Sequence, residues 1–189
     1  MADADAPPTA LTPPSGLVAP GNALTRLLDA ITRAVGRAIA WLIIPMVASL
    51  VYEVTARYLF DAPTVWAYDM TYMLYGTFFM LGSAWTLQRG GHIRTDTFYA
   101  DWSPRRRALV DAACYVLFFL PAMAVFLKIG ADYFWKSFQQ NERIVTSPWL
   151  PIVWPFKAVL PVTAALLILQ GISELIKSLQ VILRSGEDR

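Results

Sequence analysis

The chain has 189 residues, of which 56% are hydrophobic and 16% charged, with a mean hydropathy of +0.44. Soluble domains carry about 25% charged residues, so this composition points to a membrane protein, and a net charge of +2 is too small to expect a nucleic-acid partner. A single histidine and a single cysteine exclude a bis-histidine haem site, a Cys/His zinc cluster and an intramolecular disulfide.

Residues 1–25 are rich in Ala, Pro and Thr and contain no Lys or Arg. They lack the basic start and adjacent apolar run of a secretory signal and read as a disordered cytoplasmic tail. From Asn22 to Arg37, Leu24, Leu27, Leu28 and Ile31 recur at helical spacing. That spacing predicts a short N-terminal amphipathic helix lying on the membrane.

A bilayer core takes roughly 20 mostly apolar residues per helix. Four stretches qualify, at about 38–58, 68–88, 108–129 and 156–176. The fold class is therefore an all-α integral membrane protein with four transmembrane helices, its membrane domain covering 26–183 and a second cytoplasmic tail covering 184–189. Pro45 and Pro121 fall inside spans and predict kinks, while Pro161 comes early in the fourth.

Each span carries polar residues near an end. Glu53 and Arg57 stand four residues apart, one turn apart on one helix face, and read either as a neutralised pair or as a contact for a partner subunit. Asp69 opens the second span, where a carboxylate complements the helix dipole. After that span comes the polar run Arg89-Gly90-Gly91-His92-Ile93-Arg94-Thr95-Asp96. Gly90-Gly91 can take positive φ and end the helix; His92 marks a turn, and Arg94 and Asp96 pair with each other or with a partner subunit. Ser103-Pro104 reads as the N-cap and first residue of the third span. The connection from Tyr133 to Trp154 ends in a proline-rich run that reads as an extended interfacial segment. In the fourth span Gln170 is placed to hydrogen-bond a neighbouring helix, and Glu174 and Lys177 share a face at i, i+3.

Eleven of the 16 Lys and Arg residues fall on the side that holds both termini, and five on the other. The positive-inside rule then makes both termini cytoplasmic. Trp41, Trp85 and Trp102 fall near the inner surface, and Trp66, Trp135, Trp149 and Trp154 near the outer one, as tryptophans favour headgroup depth. The span centres hold no ionisable residue, no cofactor or metal motif is present, and no nucleophile stands beside a base. The chain thus reads as a membrane scaffold, with no catalytic, metal or substrate-binding residues of its own.

Three stretches resemble a known family, the small membrane subunit of TRAP (tripartite ATP-independent periplasmic) transporters. They are Tyr52-Glu53 through Arg57-Tyr58-Leu59-Phe60 with Pro63 and Trp66; Gly91-His92-Ile93-Arg94-Thr95-Asp96; and Trp154-Pro155-Phe156-Lys157 with Pro161, Leu169-Gln170-Gly171 and Glu174. The family often has a glutamate near the place of Asp69, and valine at Thr95. The resemblance implies a bacterial inner-membrane protein that braces a large membrane subunit. In such a system the large subunit moves an organic acid, delivered by a periplasmic binding protein, on a sodium gradient. The competing reading is a four-span scaffold or assembly factor unrelated to transport; neighbouring genes for a large permease and a secreted binding protein discriminate the two.

Overall fold

A computed structural model describes residues 22–90 and 102–187. Its described residues are helical apart from the connections: α1 (Ala23–Ala40), α2 (Ile43–Leu59), α3 (Ala67–Gln88), α4 (Pro104–Cys114), a π turn (Tyr115–Phe119), α5 (Leu120–Gln139) and α6 (Trp154–Glu187). Among the described residues, three segments are long and apolar enough to cross a membrane: Ala23–Leu59, Arg105–Gln139 and Trp154–Leu183.

The break between α1 and α2 has a covalent cause. Pro45 has no N–H, and its ring crowds the carbonyl four residues back, which belongs to Trp41. The Trp41 carbonyl is instead taken by Ile44 N–H at 3.2 Å, and Trp41 and Leu42 N–H groups tighten onto Ala38 and Ile39 carbonyls at 3.3 and 2.9 Å. The proline therefore ends one helix and sits in the first turn of the next, so the expected kink becomes a joint that divides the 38–58 stretch at Trp41–Leu42.

Pro121 acts differently. The backbone widens into a π turn just before it, with Leu120 N–H reaching back five residues to the Tyr115 carbonyl. The helix then continues to Gln139, ten residues past the expected end at 129. The connection to α6 accordingly begins at Gln140 rather than Tyr133, and it is folded instead of extended. Val153 N–H donates to the Glu142 carbonyl at 3.0 Å and Ile144 N–H to the Pro151 carbonyl at 3.1 Å, so the two ends of the loop are paired. Asn141 and Leu150 take positive φ at its bends.

At 22 residues α3 is long enough to cross a bilayer core (about 33 Å), yet Tyr68, Tyr72, Tyr75 and four hydroxyl residues lower its apolarity. Those hydroxyls are returned to the helix: Thr71, Thr77, Ser83 and Thr86 donate to the Ala67, Met73, Met80 and Gly82 carbonyls at 2.6 to 3.1 Å. Such back-bonding leaves a less polar surface than composition suggests. Gly90, with φ +65°, stops α3, its N–H bonded to the Leu87 carbonyl at 3.0 Å.

α6 is the central element, packed along α5 and against α3, α4 and α1, while α2 leans on α3. The core joins Ala84 and Leu87 of α3 to Leu166 and Leu167 of α6, with Val35, Phe119 and Met123 against them. Close approach depends on small residues. At Gly36 a Cβ would lie 2.6 Å from the Trp85 ring, and at Gly171 2.5 Å from Phe119. Gly82, also on α3, faces open space. Outside this core the surface is strongly apolar: Val51, Val54, Leu59, Phe79, Leu117 and Phe118 are all more than half exposed. A surface of that kind is stable against lipid or a partner, not against water.

Candidate subunit interface

Polar contacts hold both ends of the bundle, several separate ones at one end and a single cluster around Asp29 at the other. At the end carrying the loops 60–66 and 140–153, the Glu53 carboxylate closes a clamp. Arg57 Nε donates to it at 2.8 Å from one turn along α2. Thr64 donates its backbone N–H at 3.0 Å and its hydroxyl as well, which ties the α2–α3 loop back onto α2. Ala62 N–H reinforces the return by bonding to the Ala56 carbonyl at 3.0 Å, and Asp61 takes the positive φ that the reversal needs. Tyr52 packs on Trp66 across the same turn, ring centroids 5.6 Å apart.

Asp69, in the first turn of α3, is buried and accepts from the Ser147 hydroxyl, 78 residues away. Trp149 N–H then donates to Ser147 Oγ at 3.2 Å, so the long loop is anchored on α3. Lys157, in the first turn of α6, is buried, donates to Glu142, and rests its ammonium 3.8 Å from the centroid of the Tyr133 ring. That ammonium holds the Glu142 carboxyl below the usual carboxylate range. Phe134, Phe138 and Trp154 stack edge-on beside it and complete an aromatic collar at this end.

At the opposite end the organising residue is Asp29 of α1. Its carboxylate accepts from Gln170 Nε2 at 3.1 Å, Ser173 Oγ at 2.8 Å and Lys177 Nζ at 2.9 Å, all on α6. Glu174 accepts from Gln170 at 3.0 Å and Lys177 at 2.8 Å. Gln88 at the end of α3 donates to the Asp29 backbone carbonyl at 2.9 Å. Three helices meet on one aspartate, and Gln170 and Ser173 are fully buried there.

Of the residues singled out by the sequence, Glu53 with Arg57, and Gln170 with Glu174, are brought together in single clusters. Asp69 and Lys157 sit in separate contacts on the long loop. His92, Arg94 and Asp96 lie outside the described residues. Sequence reasoning passed over Thr64, Glu142, Ser147 and above all Asp29. Thr25, Thr32 and Gly36 lie at helical spacing beside Asp29 and form a small polar face on α1, which was the available signal.

Between α2 and α3, next to the Glu53 clamp, runs an open, mostly apolar groove of about 320 Å³ lined by Leu50, Glu53, Arg57, Tyr68, Tyr72 and Tyr75. Of the 17 residues of α2 only Ser49 is buried; Met46, Glu53 and Ala56 beside it are half-buried on the side toward α3, and the rest of the helix surface is mostly exposed. Glu53→Gln is expected to free the 60–66 loop and lower recovery of folded protein, whereas Glu53→Gln/Arg57→Gln recovers part of the loss. Additive losses across that double-mutant cycle, read as yield and melting temperature in mild detergent, contradict the clamp; the coupling expected is about 0.5–1 kcal/mol.

A sequence model described as the DctQ component of tripartite ATP-independent periplasmic transporters matches residues 46–181. No curated protein matches the chain.

Proposed function

Given that the chain belongs to the family of DctQ components of tripartite ATP-independent periplasmic transporters, we propose that it is the fixed membrane scaffold on which the large subunit carries out sodium-driven uptake of an organic acid. A transport domain that shifts across the bilayer needs a stationary neighbour. Polar contacts that tie the helices together within the chain supply such rigidity, and Asp29, Glu53, Asp69, Lys157 and Lys177 each bond an internal partner. The observation that carries the reading is α2, a long helix with one buried residue, whose groove toward α3 offers the large subunit an apolar surface with a charged end. In lipid, association of this kind relies on close fit and a few polar contacts.

In this reading α3 is a fourth span beside the three more apolar ones, and α1 is an amphipathic helix on the membrane surface. The Asp29 end faces the cytoplasm of a bacterial inner membrane, and the loop end faces the periplasm and the binding protein. The bias of Lys and Arg toward the Asp29 end supports that orientation.

Co-expression with the large permease subunit tests the scaffold. A stoichiometric complex is expected in mild detergent. Proteoliposomes holding both subunits are expected to take up the acid only with binding protein and an inward sodium gradient. Full uptake by the large subunit alone, or its failure to co-purify, overturns the proposal.

A further inference from the structure

Helix α1 carries three distinct faces. At about 100° per residue, the buried residues Thr25, Leu28, Thr32, Gly36 and Ile39 turn toward α3 and α6. Leu24, Leu27 and Ile31 form a second stripe and are exposed at 53%, 58% and 39%. Arg26, Arg33 and Arg37 form a third, within about 40° of one another and about 135° from the leucines; all three are exposed. Among the described residues none of these arginines forms an ion pair, and Arg37 Nε lies back on the Arg33 carbonyl at 3.4 Å. The Asp29 cluster fixes the rotation of α1 about its axis, so the stripe cannot turn away. Trp41, 71% exposed, follows directly at the joint, a residue that favours headgroup depth.

We propose that the Arg26–Arg33–Arg37 stripe is a binding surface for anionic phospholipid headgroups. With the leucine stripe dipped into the acyl boundary, the arginines stand on the water side of the helix, from where their long side chains reach back to the phosphates, and Arg pairs with phosphate in bidentate fashion. The three cations answer the negative charge of such a leaflet, and they share one short helix with the leucine face that the same leaflet would cover. Each Arg at an anionic surface strengthens association about fivefold. The inference rests on the reading of α1 as a surface helix, but it needs neither the large subunit nor transport.

The test uses the purified full chain in neutral mild detergent, with labelled phosphatidylglycerol or phosphatidylcholine added. Wild type is expected to hold phosphatidylglycerol about tenfold more tightly at low salt, and the preference shrinks as salt rises. R26Q/R33Q/R37Q is expected to lose the preference while keeping its helicity and elution volume. R26K/R33K/R37K retains most of it, and K128Q/K136Q on α5 leaves it unchanged. Equal binding of both lipids by wild type, or an undiminished preference in the triple glutamine variant, overturns the proposal. So does an equal loss in K128Q/K136Q. Because the assay contains no partner, either result leaves the scaffold reading to stand or fall on co-purification alone.

Discussion

Asp29→Ala is expected to destabilise the protein by about 2–4 kcal/mol, the largest effect of any single side-chain deletion considered. The carboxylate collects a lysine, a serine and a glutamine of α6, at 2.9, 2.8 and 3.1 Å. Its loss strands the fully buried Ser173 hydroxyl and leaves Lys177 with Glu174 as its remaining acidic partner. Stranding a buried polar group costs about 1–3 kcal/mol, and the broken ion pair adds to that. For a chain of this size the melting temperature falls by about 5–10 °C. Asp29→Asn keeps an acceptor for Ser173 and Gln170 and is expected to lose roughly half as much. A melting curve for Asp29→Ala within a degree or so of wild type shows that α1 is not held by this cluster.

The second large effect is decided by a contest of two terms. Intrinsic helix preference favours alanine over glycine by about 1 kcal/mol, so Gly36→Ala looks stabilising from sequence alone. Packing opposes it. The new methyl would stand 2.6, 2.7 and 2.8 Å from Cδ2, Cγ and Cβ of Trp85. Because the obstruction begins at the tryptophan Cβ, rotating the ring does not relieve it, and α1 must lift from α3. Overpacking of this kind costs about 1–3 kcal/mol, and after the helix-preference gain the net change expected is a loss of up to about 2 kcal/mol. Gly82 supplies the contrast, since nothing lies within 4 Å of its added Cβ; Gly82→Ala is expected to gain about 0.5–1 kcal/mol. Both are read from thermal melts in one detergent. Stabilisation by Gly36→Ala contradicts the α1–α3 contact.

Local spacing made some of this architecture legible. Glu53 and Arg57 had to meet because a helix puts i and i+4 on one face, and Ser103-Pro104 had to open α4 because both residues suit the first turn. What spacing does not encode is the partner that arrives from another element. Thr64 completes the Glu53 site from across a loop, and Ser147 reaches Asp69 from far along the chain. Asp29 was hidden for another reason. Leu24, Leu27 and Ile31 mark a face that points away from the protein, whereas Leu28 turns inward with Ile39 onto a packed face whose other members are Thr25, Thr32 and Gly36, a smaller and more polar seam than the soluble pattern leads one to expect. The end of α5 was missed because Tyr133 to Gln139 is aromatic and polar enough to read as a connection, yet it continues the helix and supplies the ring partners of Trp154 and Lys157.

The π turn at Tyr115–Phe119 sets the phase of everything downstream. A π turn admits about one residue more than the α pitch, and one residue is about 100° of rotation. Without that offset the stripe of α5 that holds Gly130 would swing to the side of the bundle. Instead Gly130 meets α6 at Pro161, where an added Cβ would lie 3.3 Å from the proline nitrogen. The widened turn also presents Phe119 to the notch at Gly171. One long helix can thus serve α6 along two half-lengths with independent azimuths, as a shaft with a fixed angular coupling serves two gears.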